Sequence, residues 1–201
     1  AVTALTKIYN VYSEDAKNMV SVGDRLAASM ADSRLKVQDL ATIFNYLGPQ
    51  AKLAKVSLTD LLTVATALSQ AGAEPSTLAT GMSTFMASLT NPTPKLRASL
   101  EPKLKDIGKS MADVKMPENN IINVIKLLKE ANVNVADLFA GLQMRAGRSA
   151  ASLNLMADSL DRIKQNLTVP GKLDSMWKIS MEGLENRFEV MLNKITNLGI
   201  V

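Results

Sequence analysis

The sequence predicts an all-α protein: a multi-helix compact domain of short punctuated helices followed by a longer C-terminal amphipathic helix. Three observations lead there. Apolar residues make up 47% of the chain but aromatic residues only 4%, with 11 Met and a single Trp. That mixture suits helix-on-helix packing better than a sheet core, which would draw on more Val, Ile, Tyr and Phe. Helix start and stop residues recur along the chain, as in Ser57-Leu58-Thr59-Asp60, Gly72, Pro75, Pro92-Thr93-Pro94, Gly108 and Pro170-Gly171. No segment alternates apolar and polar residues with the period of two of a half-buried strand.

Residues 3–31 read as one helix, bent near Ser21-Val22-Gly23. Leu5, Ile8, Tyr9, Tyr12 and Ala16 share a stripe that Leu26, Ala27 and Met30 continue. Ser33 is placed to cap a second helix over Leu35 to Leu47, which Gly48-Pro49 should end, because proline lacks a donor and restricts the residue before it. Ala51 to Val56 adds a short helical turn. Ser57 with Asp60 has the form of a helix cap with an acidic residue near the positive end of the dipole. The helix it opens runs to Ala71 and stops at Gly72, which is free to take the left-handed conformation. Pro75 stands at a first helical position, and the next helix reaches Leu89. Gly81 inside it costs roughly 1 kcal/mol relative to Ala, and with Ala79 and Ser83 it would admit a close neighbouring helix.

Between Leu61 and Pro94 the only charge is Glu74. A water-facing helical pair would carry more, so this stretch reads as core or assembly surface, with Leu61, Leu62, Val64, Leu68, Leu78, Phe85 and Leu89 as its contact residues. Leu96 to Ile107 is a third helix that Pro102 kinks or divides. Lys109 to Pro117 reads as a loop. Glu118 to Ala131 is amphipathic, with Ile121, Ile122, Val124, Ile125 and Leu128 on one broad face. Asn134 caps a short segment from Val135 to Ala140. Ser149 to Leu167 is helical, apolar at Leu153, Met156, Leu160 and Ile163. Pro170-Gly171 is the clearest hinge.

Beyond the hinge, Trp177, Met181, Leu184, Phe188, Met191, Ile195 and Leu198 follow spacings of four, three, four, three, four and three. This is an a/d seam of three heptads on a helix running from Leu173 to Leu198. It reads as a self-association seam; the alternative is a single amphipathic helix packing within a globular domain. The expected organisation is therefore a helical core domain over residues 1–169 and an amphipathic, coiled-coil-like helix over 172–201. Ala1 and Ile200-Val201 look like arbitrary cuts, so the chain reads as a fragment of a longer protein.

The chemistry available to the chain is narrow. It has no Cys and no His, which removes disulfides, thiolate nucleophiles and the usual zinc sites. Paired carboxylates, a Ser-Lys dyad or a Lys Schiff base would remain. Glu182, Glu185 and Glu189 alternate with Lys178 and Arg187 as a solvent face does. Gly141, Gly147 and Gly171 lack the Lys-Ser/Thr and the preceding strand of a phosphate loop. No catalytic, cofactor-binding or metal site and no small-molecule substrate is expected; the reading is a structural protein and not an enzyme. The net charge of +4 includes a basic stretch from Lys95 to Lys115. Glu101, Asp106 and Asp113 dilute it, so any DNA contact would be passing and electrostatic. No run of about 18 apolar residues is present to span a membrane as a helix.

The order of elements resembles the core of phage tail tape-measure proteins. The residues that carry the likeness are Ser57-Leu58-Thr59-Asp60, Ala71-Gly72, Ala79-Thr80-Gly81, Leu89-Thr90-Asn91-Pro92-Thr93 and Leu104-Lys105-Asp106-Ile107-Gly108. Further on, Leu138-Phe139-Ala140-Gly141 and Arg145-Ala146 continue it. The motifs are patterns of small and apolar residues spanning roughly residues 20 to 198, and Ala140 splits a Phe-Gly pair usual in that family. The resemblance implies a structural virion protein inside the tail tube that sets tail length and leaves ahead of the DNA at infection. It also implies tail tube protein, tail assembly chaperones and tail-tip proteins as partners, beside the copies of itself that the seam suggests, with host cytoplasm as the site of assembly. Two rival readings are a membrane-active module for genome ejection, motivated by the low-charge stretch Leu61 to Leu89, and a non-phage helical adaptor or scaffold.

Overall fold

The computed structural model describes Tyr12 and residues 19–134, 136–138, 142, 144–179 and 182. Among them every regular element is helical. Helix α1 spans Met19–Ala31 and passes through Gly23 without a break. Helix α2 spans Val37–Leu53. Its first residue follows Lys36, whose N–H donates to Asp39 Oδ2 at 2.8 Å. Ser33 is not its cap: the Ser33 hydroxyl donates instead to the Ser29 carbonyl at the end of α1. Gly48-Pro49 does not end α2 either. Gly48 has no Cβ to clash with the proline ring, and the one carbonyl left without a donor belongs to exposed Asn45 and can meet water.

Helix α3 spans Leu58–Gln70, with the Ser57 hydroxyl accepting from Asp60 N–H at 3.1 Å. Gly72 follows at φ +85, the left-handed conformation that closes many helices. Helix α4 spans Pro75–Thr90, and α5 spans Pro94–Asp106, capped by Thr93, whose hydroxyl accepts from Leu96 N–H at 3.2 Å. Pro102 is exposed within α5 and leaves it continuous.

Residues 109–117 differ from a plain loop. They hold a 3-10 turn at Met111–Asp113, bury Met111, Val114 and Met116, and donate Met116 N–H to the Leu89 carbonyl at 3.3 Å. Apolar side chains every two or three residues pin this connection to the core. Helix α6 spans Ile121–Glu130, capped by Asn120, and buries Ile121, Ile122, Val124, Ile125 and Leu128. Asn134 and Asp137 exchange backbone-to-side-chain hydrogen bonds at 2.9 and 3.0 Å around a short helical stretch at 136–138. Helix α7 spans Met144–Met156, a 3-10 turn covers Ala157–Ser159, and α8 spans Leu160–Leu167. Residues 172–179 are again helical.

The first helix of the low-charge stretch, α3, lies in the interior of the fold. Every residue of α3 except Thr59 and Gln70 is buried, and α3 is packed by α1, α8, α7, α6 and α4. A helix enclosed on all sides must be apolar all round or satisfy its polar groups within the protein. Thr63 donates to the Thr59 carbonyl at 2.8 Å, Thr66 shares a hydrogen bond of 2.8 Å with Ser29 of α1, and Ser69 accepts from Arg34 N–H at 3.3 Å. Helices α3 and α4 follow one another in the chain but are not each other's chief partners. The close packing of α4 is with α2 on one side and α7 on the other.

Candidate functional site

Three joints between distant parts of the chain define how the helices are held. The first is at α4 and α7. A Cβ built on Gly81 would lie 2.7 Å from the Arg145 carbonyl oxygen and 2.1 Å from Ser149 Oγ, so the two helices meet backbone to side chain across the glycine. Only a residue without a side chain allows that approach.

The second joint is Asp60, 3% exposed at the first turn of α3. Its Oδ2 accepts from Ser57 Oγ at 2.8 Å and from Asn120 Nδ2 at 2.7 Å. Its Oδ1 lies 2.7 Å from Lys164 Nζ of α8; this contact has ion-pair distance without hydrogen-bond angles. One carboxylate thus ties the start of α3 to the cap of α6 and to α8. As a cap it was legible from Ser57-Leu58-Thr59-Asp60, whereas Asn120 and Lys164 lie too far along the chain for any local pattern to reveal.

The third joint is Asp24, 8% exposed on α1. It accepts from Gly171 N–H at 3.1 Å and from Leu173 N–H at 2.9 Å. These bonds, that from Leu173 first, hold its carboxyl below the ordinary value of 3.8 by stabilising the charged form. Beside it, a Cβ on Gly23 would come 2.8 Å from Leu173 Cδ2, so Leu173 occupies the space that the glycine leaves. In the sequence Asp24 stands with Arg25 between Val22-Gly23 and Leu26-Ala27-Ala28, an adjacent charge pair that no helix-cap pattern picks out.

Of the residues singled out in the sequence, Leu61, Leu62, Val64, Leu68, Leu78, Phe85 and Leu89 are all buried. Trp177 is 67% exposed. Met181, Leu184, Phe188, Met191, Ile195 and Leu198 lie outside the described residues, as do Glu185, Glu189 and Phe139 to Gly141. Glu182 is exposed.

Among the described residues no group of three or more His, Cys, Asp and Glu side chains is placed to hold a metal ion, and no described helix is long and apolar enough to cross a membrane. An open cavity of about 350 Å³ lies between α6 and the turn at Ala157–Ser159. Two of the charges along it are paired, Lys129 with Asp158 and Lys126 with Asp161. These are exposed ion pairs, each contributing up to about 1 kcal/mol.

The joints hold the described helices together. In the family comparison, the model of the family described as phage-related minor tail protein matches residues 1–138. The match takes in well over half of the chain, which therefore belongs to that family. Comparison with curated proteins and with solved structures gives no match.

Proposed function

We propose that the chain is the helical core of a tail tape-measure protein, a structural virion component that sets tail length, occupies the tail tube lumen and is released ahead of DNA. The family match over residues 1–138 carries the reading as far as a phage tail protein. The order of motifs from Ser57 to Gly108, and on to Arg145-Ala146, supports the finer assignment. The folded region would not itself be the ruler. A ruler needs uninterrupted helix, about 1.5 Å of length per residue, and α1 to α8 instead turn back on one another around α3. On this reading residues 1–169 form the compact unit and 172–201 the amphipathic helix that self-associates along Trp177, Met181, Leu184, Phe188, Met191, Ile195 and Leu198. Tail tube protein, assembly chaperones and tail-tip proteins are its other partners.

Peptide mass spectrometry of intact virions and of emptied particles tests this directly. Peptides of the chain should be present in the first and depleted from the second; equal abundance in both would place the protein in the permanent tail wall. The rival membrane-active module rests on Leu61 to Leu89. Its large apolar side chains are interior, so such a role would require the body to open first.

A further inference from the structure

We infer that the family-matched region, residues 1–138, is an incomplete fold whose α3–α4 surface is a binding site for the helical segment α7–α8, and that the site also takes this segment from a second copy of the chain.

The match ends at Leu138, but the packing does not. Boundaries between independent folding units fall where few contacts cross. Here the tightest approach in the core lies across the boundary. Among the described residues α4 is packed by α2 on one side and by α7 on the other. At Gly81 the Arg145 carbonyl and Ser149 occupy the place a Cβ would take. Helix α8 lies on α3 and α1 and buries Leu160, Ile163 and Leu167 there. Polar contacts reach back as well. Lys164 Nζ lies 2.7 Å from Asp60 Oδ1, Asn166 Nδ2 donates to Asp32 Oδ2 at 3.1 Å, and Asn154 Nδ2 donates to the Val133 carbonyl at 2.7 Å.

The receiving surface has the composition of an interior. Asp60 is the only charge in α3, and α4 carries none from Pro75 to Thr90. Without α7 and α8, the sides of α3 and α4 that they cover would meet water as one apolar strip, which a stable monomer rarely presents. Asp60 would lose its cation and the Val133 carbonyl its donor. The segment that fits is equally particular. It offers small buried residues at Ala146, Ser149 and Ala150, then the apolar stripe of α8. None of these contacts is covalent and none involves residues 139–141, so they form equally well when the segment belongs to another copy.

Native-state hydrogen exchange read by mass spectrometry tests the unaltered chain. Amides of α3, α4, α7 and α8 should lose protection together with one denaturant dependence, because none of these helices is stable without the others. Opening of α7 and α8 while α3 and α4 stay protected would overturn the inference. A protease site placed over residues 139–141 of the full chain, cut after folding, tests binding. The two pieces should co-elute in size exclusion. After a cycle through urea the cut protein should take up a labelled peptide of residues 142–168, and Gly81→Ala should weaken that uptake by about tenfold or more. Pieces that separate under native conditions, or a 1–138 piece that unfolds cooperatively by itself, would overturn it too. If the altered chain does not fold, the hydrogen-exchange result decides.

Discussion

Gly81→Ala is the sharpest test of how the body is packed. A glycine in an exposed helix interior is improved by alanine, by about 1 kcal/mol. Here the new methyl would lie 2.7 Å from the Arg145 carbonyl oxygen and 2.1 Å from Ser149 Oγ. The Ser149 hydroxyl can rotate away, but the carbonyl belongs to the α7 backbone, so α7 must retreat by roughly 0.5 Å. A gap of that size forfeits about a quarter of the dispersion attraction for each atom pair along the contact. Overpacking of this kind costs about 1–3 kcal/mol, and a backbone obstacle places it at the upper end. Subtracting the propensity gain leaves a net loss of about 2 kcal/mol, or about 4–8 °C in Tm for a chain of this size. Urea unfolding followed by far-UV circular dichroism reads it as a lower midpoint at unchanged slope. Adding Ser149→Gly should restore only part of the loss, because Arg145 still blocks. If Gly81→Ala alone stabilises the protein by about 1 kcal/mol, α4 and α7 do not meet as described.

Asp60→Ala should cost about 2–3 kcal/mol in the same assay. It strands Asn120 and the Ser57 hydroxyl, while Lys164, partly exposed, recovers some hydration; a loss below about 0.5 kcal/mol would mean the three contacts are incidental. Asp24 should make the acid limb of stability steeper. Its folded pKa lies below its unfolded value, so its contribution is present above the unfolded value and lost as pH falls through the folded one. Asp24→Asn should therefore flatten the dependence of the urea midpoint on pH below the ordinary carboxylate range, and an unchanged slope would refute the assignment. For the seam, Phe188→Asp with Met191→Asp should turn an oligomer into a monomer by sedimentation in the intact protein. An intact protein that is monomeric at high concentration would make the seam an internal packing face.

Local chemistry was legible where one residue's backbone decides the outcome. Ser57 caps, Gly72 takes positive φ, Pro75 opens a helix, and the broad face of Ile121 to Leu128 turns inward. Gly81 was legible as a contact glycine because its cost in a helix requires a reason. Reading failed where a neighbour overrides a local preference. Gly48 lets α2 run through Pro49, and Met111, Val114 and Met116 draw an apparent loop into the core. The order of packing was also hidden. Nothing in Leu58 to Leu89 says that α4 prefers α2 and α7 to its predecessor α3. Asp24 and Lys164 find partners 147 and 104 residues away along the chain. Such pairings arise from the assembled fold and leave no periodic trace.

The tape-measure assignment is tested most directly by tail length. Helix inserted in frame into, or deleted from, the complete protein outside the folded region should change tail length in electron micrographs by about 1.5 Å per residue. Tails of constant length across a series of insertions and deletions, on particles that still assemble, would contradict it.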